Sequence, residues 1–161
     1  MDREGLRVSG AQVELRGYVS QYARVEIECR ADVSAGSMFS AWMIGMEDEP
    51  WRCGEICIVE VFGETVTPTS CGIGSGIHAF RDPVLTEEFS VEERALDVAQ
   101  WHTYAVDWRD DGIDWYVDGT QSRSSRQSPG YPMLVILGIF DFPGRSDPNA
   151  VPGLSVRRVR G

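Results

Sequence analysis

The chain contains no lysine: all 15 of its basic residues are arginine, set against 25 acidic ones, for a formal net charge of -10 over 161 residues. A surface of that sign repels phosphates, which argues against nucleic acid and anionic membranes as partners and is compatible with a neutral ligand such as a glycan. No apolar run approaches the roughly eighteen residues that a spanning helix needs. The opening stretch, MDREGLRVSG, is charged where an export signal would be hydrophobic. Cysteine is sparse. Cys29, Cys53, Cys57 and Cys71 form no CxxC pair, so no zinc is expected, nor any other metal or cofactor. Their even number permits disulfides without requiring them. Serine catalysis is not indicated, because no serine lies in a nucleophile elbow and neither His78 nor His102 is placed for a Ser-His-Asp triad.

Helical periodicity is nearly absent too; the best candidate, EERALDVAQW at Glu92 to Trp101, is short. What recurs instead is strand pattern. Runs rich in β-branched and aromatic residues alternate with turn signals: QVELRGYV, ARVEIECRA, MFSAWMIGM, EICIVEVFG, GIHAF, HTYAVDW, GIDWYVDG and PMLVILGIF. The reading is an all-β sandwich, and its length fits one domain, residues 1–161, with a sizeable core. HTYAVDW and IDWYV, joined by RDDG, form the clearest hairpin, with a second turn at Asp118-Gly119. Asp110, Asp111 and Asp118 are therefore expected as turn formers. The polar segment Gly119 to Tyr131, GTQSRSSRQSPGY, reads as a loop inside the domain.

The stretch GEICIVEVFG, Gly54 to Gly63, sets two glutamates five residues apart in a strand-favouring context. Regular alternation would put Glu55 and Glu60 on opposite faces. A β-bulge would reunite them: with Val59 as the extra residue, Glu55, Cys57 and Glu60 share one face while Ile56 and Ile58 face the core. Four pleat steps then separate the glutamate Cα atoms by roughly 13 Å. Inward-leaning side chains could approach the roughly 5 Å carboxyl separation of retaining glycosidases.

The pattern GE-I-x-I-x-E resembles the G-E-I-D-I-x-E signature of glycoside hydrolase family 16, in the bulged form of its laminarinases, agarases and carrageenases. QYARVEIECRADVSAGSMFSAWMIG is similar to the family's upstream strand-and-tryptophan segment, WHTYAVDWRDDGIDWYVDG to its downstream hairpin, and PMLVILGIFDFPG to its late strand. The order agrees. The resemblance implies a jelly-roll sandwich of two antiparallel sheets with a glycan cleft on its concave face, as in concanavalin A-like folds. It implies Glu55 as nucleophile and Glu60 as acid/base of a double displacement.

Three departures from that family pattern stand out. Cys57 occupies the place of an aspartate, and a thiol is a weak donor and poor acceptor that cannot tune its acidic neighbours as a carboxylate would. The chain starts close to the family's second or third strand, which would leave a sheet edge uncovered. Arg157, in GLSVRRVRG, stands near where many members carry an aspartate for a structural calcium, and an arginine cannot ligate calcium.

By position in the family, Trp42, Trp51 and His78 are expected to line the cleft and bind substrate. Trp108 and Trp115, alternating within the hairpin, are expected in the core. His102 is equally readable as a strand-end histidine. The leading function is a retaining endo-acting hydrolase of a β-linked polysaccharide, a β-1,3-glucan first, working as a monomer outside the cell. The alternative is a carbohydrate-binding jelly roll whose chemistry has faded around Cys57.

Overall fold

The computed structural model describes residues 6–9, 12–19, 21–142, 144–145 and 149–161. Twelve strands are formed among them: β1 (Leu6–Ser9), β2 (Gln12–Val19), β3 (Arg24–Asp32), β4 (Ser37–Gly45), β5 (Glu55–Phe62), β6 (Cys71–His78), β7 (Glu88–Arg94), β8 (His102–Arg109), β9 (Gly112–Val117), β10 (Thr120–Ser125), β11 (Met133–Asp141) and β12 (Gly153–Arg160). Alternation sorts them into layers. In β3, Val25, Ile27, Cys29 and Ala31 are buried while the arginines, glutamates and aspartate between them reach towards solvent. A strand with one wet face needs a second sheet to cover the other.

Two antiparallel six-stranded sheets result, one ordered β1-β12-β3-β8-β9-β10 and the other β2-β11-β4-β5-β6-β7. This is the jelly-roll sandwich. Phe39, Met43, Ile56, Ile77, Met133 and Ile139 of the second sheet meet Ile27, Tyr104, Trp108, Ile113, Trp115 and Leu154 of the first, all fully buried. Each such side chain contributes about 1.5–3 kcal/mol by leaving water. Trp108 and Trp115 are core residues, as their alternation predicts, and both indole N–H groups are satisfied. Trp108 Nε1 donates to the Pro129 carbonyl at 3.2 Å and Trp115 Nε1 to the Cys57 carbonyl at 2.8 Å.

Several expectations change. The polar segment after Gly119 is not all loop, because Thr120–Ser125 forms β10 against β9. An edge strand needs only one neighbour's backbone, and its largely solvent-facing side chains need no apolar alternation, so the sequence hides it. The segment 92–101 is not helical: it finishes β7 and then turns, with Gln100 N–H donating to the Asp97 carbonyl at 2.9 Å. Of GIHAF, residues 76–78 end a longer strand, β6, while Ala79 and Phe80 pass into a turn, and β1 and β2 are edge strands of the two sheets.

The hairpin turns fall where expected. Asp118 and Gly119 take positive φ (49° and 77°) between β9 and β10, the geometry a two-residue hairpin requires. Asp118 also caps the neighbouring strand end, accepting the Thr103 N–H at 2.8 Å and meeting His102 Nδ1 at 2.7 Å. His102 is thus a strand-end histidine. All four cysteines are free and buried. Arg157 lies 4.1 Å over the Trp101 ring and 2.7 Å from Glu28, so its guanidinium is already engaged where the family pattern would have an aspartate.

Candidate active site

The bulge expected in β5 is present and slightly displaced. Along β4 the register runs Ala41↔Val59 and then Trp42↔Cys57, leaving Ile58 rather than Val59 without a partner. Along β6 it runs Cys57↔Gly76 and then Glu60↔Gly74, so Ile58 and Val59 together oppose Ser75. Both belong to the hydrophobic core, as do Ile56 and Val61. Two consecutive inward side chains return Glu60 to the face that carries Glu55 and Cys57. The local twist is held from below: a bulge frees a ladder carbonyl, and that of Cys57 receives the Trp115 indole N–H from the opposite sheet.

The open face around the acids is built by register. Ile44, Trp42 and Ser40 stand across from Glu55, Cys57 and Glu60 on β4. His78, Gly76 and Gly74 stand across from them on β6. Glycine is required at Gly76, where φ is 137° and a Cβ would lie 2.0 Å from the Glu88 carbonyl oxygen, and at Gly74 a Cβ would press to 2.6 Å from the Phe89 ring. Bare backbone there lets β7 pair closely beside β6, lets the Phe89 ring lie against Gly74, and leaves the glutamates room.

Glu55 emerges from a pinned stem. Gly54 N–H donates to the Tyr131 hydroxyl at 2.8 Å, that hydroxyl donates to buried Asp82 at 2.6 Å, and the Gly54 carbonyl accepts from Gly45 N–H at 3.0 Å. Beside it, His78 Nδ1 lies 2.6 Å from Glu87 and its ring stacks on Phe89 at 4.6 Å. Tyr131, Asp82, Glu87 and Phe89 were not legible as site residues in the sequence. They arrive from loops and strands far along the chain, and only the fold brings them together.

Electrostatically the face is uncomfortable for charge. Burial pushes the Glu55 carboxyl up to about 7; His78 pulls against this while Glu60 and Glu87 add to it. Burial raises Glu60 as well, again opposed by His78. The Cys57 thiol is raised well above its ordinary value, by burial first and then by Glu60 and Glu55, so it is a neutral thiol at any ordinary pH. It is on the face predicted, yet only 1% exposed, with its Sγ directed to the Gly74 carbonyl at 3.9 Å.

Trp42 is half-buried on the same face, tilted against Phe140 at 6.1 Å, and a Cβ at Gly138 would come within 3.3 Å of its ring. Trp51 is in the loop before β5, 42% exposed, edge-on to Tyr131 at 6.2 Å and with the Arg52 guanidinium 5.0 Å from its ring centre. The structure therefore gathers Glu55, Cys57, Glu60, Trp42 and His78 on one face and sets Trp51 on the loop that leads into it. Further aromatics, Phe140 on the same face and Phe62 stacked on Phe142 at 6.5 Å, were not foreseen.

A profile of the family described as glycosyl hydrolases family 16 matches residues 7–147. Among solved structures, the GlcNAcα1-4Gal-releasing endo-β-galactosidase from Clostridium perfringens is similar at 22% identity and a TM-score of 0.69, with 87% of this chain and 38% of that one covered. The catalytic domain of an endo-1,3-β-glucanase (laminarinase) from Thermotoga petrophila RKU-1 is similar at 20% identity and a TM-score of 0.72, covering 90% of this chain and 67% of that one. For the β-glucanase of Bacillus licheniformis the values are 19% and 0.72, with 91% and 69% covered. Likeness at these identities concerns the fold. The chain spans well under half of the first structure and close to two thirds of the other two. No curated protein matches it in sequence.

Proposed function

Because the chain belongs to glycosyl hydrolases family 16, we propose that it is a retaining, endo-acting glycoside hydrolase that cuts a β-linked polysaccharide outside the cell, with a β-1,3-glucan the first candidate. The observation that carries this reading is the bulge in β5, which returns Glu60 to the face of Glu55. Two carboxyls on one open face supply the pair of acids that double displacement uses, and a tryptophan and a histidine flank them. Glu55, ionised, attacks the anomeric carbon, and the glycosidic C–O bond breaks as Glu60 gives its proton to the leaving oxygen. Water then passes a proton to Glu60 and its hydroxyl to the anomeric carbon, freeing Glu55. Since the two acids share a desolvated face, one proton between them is the state in which each can play its part. Trp42, Trp51 and His78 would hold the sugar, and the acidic surface favours a neutral glycan over a sulfated one.

Incubation with laminarin, lichenan, agarose and carrageenan tests the reading through the appearance of new reducing ends. Laminarin is expected to be shortened. A second reading, a glycan-binding jelly roll without turnover, is favoured by one observation: between the acids stands the buried, neutral thiol of Cys57 in place of a carboxylate. Retention of these glycans without shortening of any of them would establish that second reading.

A further inference from the structure

Phe80 has a combination of properties that packing does not explain. It is 61% exposed, the fold spends no core volume on it, and its backbone takes φ 47°, a region that aromatic residues rarely adopt. It occupies the first central position of a turn closed by Asp82 N–H donating to the Ala79 carbonyl at 2.9 Å. A positive φ at that position favours glycine or asparagine. Strain of this kind costs about 1–3 kcal/mol and persists only where the surroundings over-determine it.

Here they do. Ala79 N–H donates to Glu87 at 3.3 Å, Arg81 N–H to the Cys53 sulfur at 3.3 Å, and the Arg81 guanidinium to Glu47 at 2.8 Å. Asp82, buried, accepts from Tyr131 at 2.6 Å and from Val84 N–H at 2.9 Å. The turn is tied on both sides to the same network that holds the stem of Glu55. The Phe80 ring is 5.8 Å from the His78 ring, tilted by 40°, and His78 stands directly across from Glu55 in the sheet. A rigid turn thus presents an exposed aromatic ring at the Glu55 end of the open face.

We propose that Phe80 is a stacking platform for a glycan: its ring takes the apolar face of a pyranose unit that extends past Glu55, and so sets how long a substrate must be for full binding. This rests on the glycan reading of the Glu55–Glu60 face. Aromatic rings suit that task because they offer a large, flat apolar surface that loses little side-chain freedom on contact. Continuity with the open face through His78 commits the occupant to the same glycan chain.

The test uses Phe80→Gly and Phe80→Tyr in the otherwise intact protein, with laminari-oligosaccharides of increasing length as probes. Glycine accepts positive φ freely, so Phe80→Gly should melt at or above the wild-type temperature, which separates lost binding from lost fold. For the longer oligosaccharides Phe80→Gly should raise KM about tenfold with kcat nearly kept, as removal of uniform binding does. The shortest cleaved oligosaccharide should be unaffected, and Phe80→Tyr should restore wild-type KM. An equal change at every length, or none at any length in a wild-type protein that cuts the probes, overturns the platform and leaves the glycosidase standing. If wild type neither binds nor cuts any of the oligosaccharides, the β-1,3-glucan reading and the platform fall together.

Discussion

The two sheets turn very different faces to solvent. On the first, acids meet arginines: Arg109 reaches Asp114 at 2.7 Å, Arg157 reaches Glu28 at 2.7 Å, Arg158 reaches Glu26 at 3.4 Å and Arg24 reaches Asp107 at 3.8 Å. On the second, Glu55 and Glu60 have no ion pair among the described residues, and burial raises both carboxyls. The same residue type is neutralised by partners in water on one side and left partly desolvated without them on the other. An exposed, paired charge contributes little and can be exchanged. A desolvated, unpaired one is costly to keep, and sites with that character concentrate where chemistry is done.

The largest effect should come from the second face alone. Glu55→Gln and Glu60→Gln are each expected to lower turnover by at least about 10²–10⁴ while leaving the melting temperature near or above wild type. Azide should partly restore a Glu60→Ala variant on an activated aryl glycoside, since it needs no general base. Full activity in either glutamine variant would erase the contrast between the faces.

Next in size is the link from the core to that face. Trp115→Phe keeps most of the packing but leaves the Cys57 carbonyl without its donor, at about 1–3 kcal/mol. Activity should fall along with stability, because that bond holds the bulge; chemical denaturation and a rate assay on one sample would show both. Cys57→Asp replaces the thiol between the acids with a carboxylate. It is expected to raise activity about tenfold, or roughly 1.4 kcal/mol of barrier. Since Cys57 is only 1% exposed, the substitution is costly as well, on the order of 2–7 kcal/mol in melts. A stable, inert variant would favour the binding-protein reading.

The fold class and the acid pair could be read in the sequence because both rest on local pattern. Alternating Val25, Ile27 and Cys29 need a covered sheet whatever lies opposite, and an odd spacing between Glu55 and Glu60 needs a bulge if both are to act. Strand β10 could not be read, since TQSRSS is held by backbone pairing and carries no hydrophobic period. The stem of Glu55 was hidden for a different reason: Tyr131 lies 77 residues from Gly54 and 49 from Asp82, and no local pattern relates them. Displacement of the bulge to leave Ile58 unpaired on β4 also escaped, because two adjacent β-branched residues, Ile58 and Val59, are equally suited to the core.

Titration sharpens the comparison further. In the folded chain Glu55 lies at about 7 against an ordinary 4.5. Below 4.5 both folded and unfolded chains hold the proton; as pH rises towards 7 the unfolded chain loses it first, and the folded state loses stability. Glu55→Gln removes that loss, so its melting temperature should gain on wild type between pH 4.5 and about 7 and the gain should then level off. Thermal melts across that range check the sign, and a gain that shrinks with pH would contradict it. On the first face the smallest effect is expected: Arg24→Ala should cost about 0.2–1 kcal/mol, less in high salt, with activity unchanged.

The central claim, that Glu55 is the nucleophile of an acid pair brought together by the β5 bulge, is tested most directly by trapping. A 2-deoxy-2-fluoro-glucoside with an activated leaving group should form a covalent glycosyl-protein, and peptide mass mapping should place the added sugar on Glu55. Glu55→Gln should take no label. A label on Glu60, or shortening of laminarin by a protein that never takes a label, would contradict the account.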